Sequence, residues 1–149
     1  MPALFADFSS ERIIDATLGF VVTANGRSLE LGFMLGFDAA MAQRCLRLDF
    51  WQAVCGTIAR TGQAMHLVDV QRSLDPLADL VRSAGVTAYA CEPLMIAGQV
   101  IGTLSFASRS RLRLDLDDLD FFAEVAMHLA QARHGARSRA ADSYAMSFS

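Results

Sequence analysis

A phenol, a thiol and two hydroxyls alternate with apolar residues in one stretch of the chain. Tyr89 and Cys91 lie in VTAYACEPLM (86–95), Thr103 and Ser105 lie in QVIGTLSFAS (99–108), and Ala97-Gly98 separates the two runs. Both runs read as strands of a hairpin, and alternate side chains of a strand share a face. Placing Gly98 at the left-handed position of a three-residue loop with a bulge sets Tyr89 opposite Ser105 and Cys91 opposite Thr103. One face then carries Thr87, Tyr89, Cys91, Thr103, Ser105 and Ala107. The other carries Val86, Ala88, Ala90, Leu94, Val100, Gly102, Leu104 and Phe106, with Glu92 opposite Gly102 and in need of a partner or a wet edge. A plain two-residue turn would shift the pairing by one and mix the sets. Antiparallel sheets usually leave one face wet, yet Glu92 is the only charge here, so both faces are expected to be covered. A few oriented polar groups in a dry setting suit a small-molecule pocket, and the same groups can also be ordinary strand residues satisfied by backbone.

Other reactive side chains are sparse. Cys45, Cys55 and Cys91 are odd in number and lack CxxC spacing, which speaks against structural zinc. In a reducing compartment they read as buried small hydrophobes. All 13 basic residues are arginine, so neither a Schiff-base lysine nor a P-loop lysine exists. His66, His128 and His134 are the candidates for an axial haem ligand; they read as a strand start, a helix face and a helix end, and no iron or other metal set converges on them. Arg109, Arg111 and Arg113 precede the acidic run LDLDDLD. Such mixed signs mark a solvated loop and a helix start rather than a nucleic-acid footprint.

The elements that must position these groups follow from periodicity. Residues 11–23 and 28–37 form a hairpin about Asn25-Gly26. Asp38 caps a helix over 38–46. Residues 51–60 put Trp51, Val54, Cys55 and Ile58 on one side of a helix, which Thr61-Gly62 ends. Residues 65–70 form a short strand, and Pro76 opens a helix over 76–84 that Gly85 closes. The helix over 115–132 starts acidic, as the macrodipole favours, and turns Leu119, Phe122, Val125, Ala126 and Leu129 to one face. With 149 residues, 53% hydrophobic and 19% charged at net charge −3, the chain fits one domain with a real core. The expected division is one domain over 1–134 and a mobile tail over 135–149. No apolar run reaches bilayer length, and the start lacks a basic leader, so a cytoplasmic location is expected.

From Leu48 onward the text resembles a GAF domain. LDFWQAVCGTIARTGQAMHLVDVQ, then DPLADLVRSAGVTAYACEPLMIAGQVIGTLSFASRSRLRLDLDDLDFF, is similar to the family's helix, its "i-x-D-v" strand, its "G-v-x-a-y-a-x-P-L" and "v-I-G-t-L-s" strands and its acidic-started closing helix. The resemblance covers roughly residues 11–132. It implies an α+β fold: a central antiparallel sheet of about six strands, helices from the two ends on one face, and segments between Asp38 and Gly85 covering the other face and enclosing the pocket. The expected function is that of a small-molecule-binding sensory or regulatory domain of a bacterial signalling system. It would form a homodimer through the closing helix and pass its state to a partner such as a histidine kinase or regulator, with no role for nucleic acid or membrane. The ligand set implied is Tyr89, Cys91, Thr103 and Ser105, with Trp51, Cys55, Phe33 and Leu80 around them. The ligand and any cofactor stay unknown. The lysine of cyclic-nucleotide relatives and the Cys-His pair of bilin-binding ones are absent.

Two alternatives belong to other classes. Ala53-Val54-Cys55-Gly56-Thr57 looks like the "G-V-C-G-T" segment of free methionine-(R)-sulfoxide reductase, a GAF enzyme. That enzyme's main catalytic cysteine is missing from Leu80-Val81-Arg82-Ser83, so the chain is not expected to be an enzyme. A Cys55–Cys91 separation well beyond disulfide reach would remove that reading. The other is a docking or dimerisation module with a filled cavity and an apolar patch outside it. A sensor should instead show an open pocket beside Tyr89 and Cys91.

Overall fold

A computed structural model describes residues 14–146. Its six-stranded sheet has the order β3-β2-β1-β6-β5-β4, every neighbouring pair antiparallel. In chain order the elements are β1 (Ala16–Val22), β2 (Ser28–Leu35), α1 (Ala39–Arg44), β3 (Arg47–Asp49), α2 (Ala53–Thr61) and β4 (Met65–Leu67). Single 3₁₀ turns over Val70–Arg72 and Pro76–Ala78 then lead to α3 (Asp79–Ser83), β5 (Ala88–Ile96), β6 (Gln99–Ser108) and α4 (Leu116–Met146). The expected hairpin about Asn25-Gly26 is β1–β2, closed by Thr23 N donating to Ser28 O at 2.9 Å. Asp38 caps α1, its Oδ1 accepting from Met41 N at 2.9 Å.

The β5–β6 hairpin keeps the expected faces by a different route. Ala97 (φ 51°) and Gly98 (φ 79°) make a two-residue turn with both residues left-handed, and Ile96 pairs Gln99. The bulge sits further in, where Leu94 faces Gly102 while Met95 faces Val100, so Ile101 is the extra residue. Tyr89 therefore pairs Ala107, Cys91 pairs Ser105 and Pro93 pairs Thr103. The expected pairs Tyr89–Ser105 and Cys91–Thr103 are each off by two, and Glu92 lies opposite Leu104 rather than Gly102. Slippage by two preserves the face of a side chain, so the polar set stays together. Val100, beyond the bulge, is turned over: its Cγ2 would lie 3.7 Å from a Cβ at Gly62, on the α2 side. Val86 precedes the strand and also packs into the cluster on that side.

On the opposite face Ala88, Ala90, Leu94, Leu104 and Phe106 are buried under α4 with Phe122, Val125, Ala126 and Ala130. Small Ala88 and Ala90 let the helix approach, and Phe122 stacks on Phe106 with centroids 4.1 Å apart, worth about 0.5–1.5 kcal/mol beyond burial. Phe33 packs into this second cluster, its ring over Gly19, where a Cβ would meet Phe33 Cε1 at 2.1 Å. It therefore lies away from the polar face, contrary to expectation. The acidic start of α4 behaves as read: Arg111 pairs Asp118 at 3.3 Å and Asp115 at 3.6 Å. The helix continues past residue 132 to Met146, because the Ala- and Arg-rich HGARSRAADSYAM favours helix without an apolar stripe. Among the described residues no helix is long and apolar enough to cross a membrane.

Glu92 is 6% exposed, and burial pushes its carboxyl up to about 7. His66 Nε2 lies 3.7 Å from Glu92 Oε1, but burial lowers the His66 pKa. Glu92 is thus losing its charge before His66 gains one, and the contact is a poor ion pair. A raised acid pKa means that the folded state binds the proton more tightly, so this group's contribution falls as pH rises from about 4.5 to about 7. Glu92→Gln should raise stability at pH 8 by about 1–2 kcal/mol and flatten the pH dependence over that window, as urea unfolding at several pH values will show. His66 titration acts in the opposite sense and stays in the variant.

Candidate functional site

Gly56 decides how closely α2 lies on the sheet. A Cβ there would come within 2.3 Å of Asp49 O, a backbone atom that cannot yield. With hydrogen in its place, the helix drops against the end of β3 and lowers Cys55 onto the polar face of β5 and β6. Cys55 Sγ then lies 3.3 Å from Tyr89 Oη, 3.5 Å from Cys91 Sγ and 3.2 Å from Ser105 Oγ. Tyr89 Oη donates to Ser105 Oγ at 2.5 Å, and Ser105 Oγ donates to Cys91 Sγ at 3.3 Å. Each of these four groups has one hydrogen to give. With Tyr89 donating to Ser105 and Ser105 to Cys91, donation from Cys91 to Cys55 and from Cys55 to Tyr89 is the assignment that closes a ring in which every member donates once and accepts once. All four are at most 3% exposed, so bulk water does not compete for these bonds.

The ring divides its thiols. Hydrogen bonding from Cys91, with further donors Ser105, Tyr89 and Thr103, outweighs burial and holds Cys55 down to about 7. Burial, then its hydrogen bond to Cys55, pushes Cys91 well above the usual thiol range. Burial likewise raises Tyr89. Cys45, whose Sγ donates to Met41 O at 3.0 Å, is raised by burial to about 11. Cys55 is therefore the thiol best placed to ionise. Thr103, on the same face, is fully buried; its Oγ1 makes no hydrogen bond of regular geometry among the described residues, and the group it influences is Cys55.

Five of the eight expected ligand residues, Cys55, Tyr89, Cys91, Thr103 and Ser105, gather here. Leu80 joins them across a void of about 10 Å³, bordered also by Leu18, Phe20, Leu48, Ala53, Val54, Leu77 and Val81, which is barely room for a water. The open pocket expected of a sensor is closed, and the filled cavity is the one expected of a docking module. Phe33 lies on the far face, and Trp51 lies outside. Trp51 is 59% exposed, thrown outward by left-handed backbone at Trp51 (φ 75°) and Ala53 (φ 57°), with the Arg60 guanidinium 5.8 Å from its ring centroid. A groove of about 390 Å³ along the β4 edge, from His66–Val68 to Arg113–Leu119, touches Tyr89. Among the described residues no three His, Cys, Asp or Glu side chains converge to hold a metal.

Sequence reasoning missed an open cleft of about 250 Å³ beside α1, lined by Gly36, Phe37, Asp38, Ala40, Met41, Arg44, Ser83, Ala84 and Arg109. Its arginines come from segments far apart in the chain, and Arg109 was legible only as one member of a solvated basic run. Helix α3 separates the cleft from the ring: Leu80 and Val81 border the void, while Ser83 and the following Ala84 border the cleft. Gly56→Ala should cost about 1–3 kcal/mol in denaturant unfolding, because α2 must lift from β3. It should also speed Cys55 modification by a disulfide reagent, since the ring opens with the helix.

Comparison with known proteins places this arrangement. A search of curated proteins returns no match. Solved structures do match in fold: the free methionine-R-sulfoxide reductase of Neisseria meningitidis in complex with its substrate has 23% identity and a TM-score of 0.72 over 90% of this chain and 75% of that one. The GAF domain of an Acinetobacter phosphoenolpyruvate-protein phosphotransferase has 10% identity and a TM-score of 0.72 over 92% and 81%. A domain assigned to a two-component sensor histidine kinase protein of Sinorhizobium meliloti 1021 has 14% identity and a TM-score of 0.74 over 95% and 93%. At these identities the likeness concerns fold alone. The family model "GAF domain" matches residues 15–132, most of the chain, and the protein belongs to the GAF domain family.

Proposed function

We propose that the chain is a sensory or regulatory domain that binds a small molecule on the polar face of β5 and β6 and passes its state to a signalling partner such as a histidine kinase or regulator. The observation that carries this reading is Thr103 Oγ1, a buried hydroxyl that makes no hydrogen bond of regular geometry among the described residues, beside the closely spaced Cys55, Tyr89, Ser105 and Cys91. An unmet buried hydroxyl costs about 1–3 kcal/mol. A ligand that accepts from Thr103 and opens the ring recovers that cost. Entry requires the cover to lift, and the cover suits this: it consists of two three-residue 3₁₀ turns and the five-residue α3, short elements with few internal hydrogen bonds. Pairing of two copies through α4 belongs to the same proposal.

A second reading is favoured by the Cys55–Cys91 distance of 3.5 Å, which leaves the thiols within reach of each other. In sulfoxide reduction a thiolate attacks sulfur, the S–O bond breaks, oxygen leaves as water, and a second thiol closes a disulfide. Neither thiol is open to solvent here, and no cysteine stands in α3 where the reductases carry their principal one.

Native and denaturing mass spectra of protein purified from its own host separate the readings. The sensor reading expects a non-covalent added mass in the wild type that is lost in Thr103→Val and in Tyr89→Phe. Thr103→Val should itself fold with stability unchanged or raised by up to about 1 kcal/mol. The same preparations given free methionine-(R)-sulfoxide and dithiothreitol should leave the sulfoxide intact. Turnover that disappears in Cys55→Ser would put the reductase in the sensor's place.

A further inference from the structure

We propose that the cleft between α1 and the end of α3 is a binding site for a small organic carboxylate, gripped between Arg44 and Arg109. Both guanidiniums border the cleft, and among the described residues neither is ion-paired with a carboxylate. Each is nevertheless held in place. Arg109 donates from Nη1 to Gly36 O at 2.9 Å and from Nε to Ala84 O at 3.2 Å, with its guanidinium carbon 5.1 Å from the centroid of the Phe37 ring. Those bonds tie the two walls of the cleft together, and among the described residues the Nη2 hydrogens make no bond. Arg44 donates from Nη1 to Ser83 Oγ, a partner that carries no charge and that a carboxylate readily displaces.

Electrostatics and shape narrow the ligand. Among the described residues Asp38 is the only acidic one lining the cleft, and its Oδ1 is engaged in capping α1 through Met41 N; the nearby Asp15 carboxylate is taken up by the Arg109 backbone N–H at 2.6 Å, so the lining itself sets two arginines against one aspartate. Guanidinium groups recognise planar carboxylates through paired hydrogen bonds. Phe37, Ala40, Met41 and Ala84 supply an apolar lining that an inorganic anion would leave bare. About 250 Å³ admits a molecule of about a dozen heavy atoms, just below the usual range of ligand pockets. The site is separate from the Cys55 ring and does not depend on the function proposed for it.

The test uses sodium benzoate and sodium pyruvate as probes, with sodium chloride at matched ionic strength and inorganic phosphate as comparisons, read by amide chemical shifts. Saturable shifts at Gly36, Phe37, Ser83 and Ala84 with at least one carboxylate are expected. Arg44→Gln and Arg109→Gln should each weaken that binding by about tenfold or more, the loss of one charge-assisted pair. Arg60→Gln, whose guanidinium lies over Trp51, should not. Because Arg109 joins the cleft walls, Arg44→Gln and Arg44→Lys serve as the variants that leave those bonds intact. Absence of saturable shifts with both carboxylates, equal response to sodium chloride, or unchanged affinity in Arg44→Gln would overturn the proposal. Phosphate binding as tightly as benzoate would overturn the preference for an organic anion.

Discussion

Four buried hydrogens shared among Cys55, Tyr89, Ser105 and Cys91 are the constraint on which the rest of the molecule depends. Water is excluded from this face, so each polar group is satisfied by the others or not at all. Helix α2 must therefore arrive at one depth and one rotation, and Gly56 is what permits that depth. Neutral closure of the ring uses every donor, which leaves Thr103 outside it. The same crowding makes Cys55 the acidic member, since Cys91, Ser105 and Tyr89 can all turn a hydrogen toward its sulfur, while burial and the Cys55 contact outweigh the single Ser105 donor at Cys91.

The two faces of the sheet solve different problems with the same two strands. Toward α4, small residues and stacked aromatics give close apolar packing, with Glu92 as its charged exception. Toward α2 and α3 the strands present groups that need partners. The bulge at Ile101 keeps these environments separate after a two-residue turn that would otherwise exchange them. Helix α3 then divides the covered face again, with the ring and its void on one side and the arginine-flanked cleft on the other. Ser83 receives Arg44 and donates to Leu80 O at 2.6 Å, so the partition is built from groups that touch both compartments.

Much of this was legible in the residues. Alternation placed Tyr89, Cys91, Thr103 and Ser105 on one face, Asp38 announced α1, and the acidic run announced α4. What escaped has physical reasons. Parity fixes a face but not a register, so the strand pairs were off by two while the faces held. Three-residue β3 is too short to show a period. Trp51 lies outside because two left-handed residues at the entry to α2 break the helical spacing that placed it with Cys55. Phe33 went to the far side because the shift between Gly19 and Phe20 and the absence of a side chain at Gly19 make room for its ring there. Arg109 is exposed, as its place in a solvated run suggests, but that its side chain clasps two backbone carbonyls has no signature in sequence.

The central claim is that Cys55 sits amid converging donors, and the pH dependence of thiolate absorbance near 240 nm tests it most directly. Wild-type protein should show one thiolate appearing with a midpoint near pH 7, absent in Cys55→Ala and moved upward in Cys91→Ala. If no thiol ionises below pH 9 in the folded wild type, or if the low midpoint survives in Cys55→Ala, the ring described here does not organise the site.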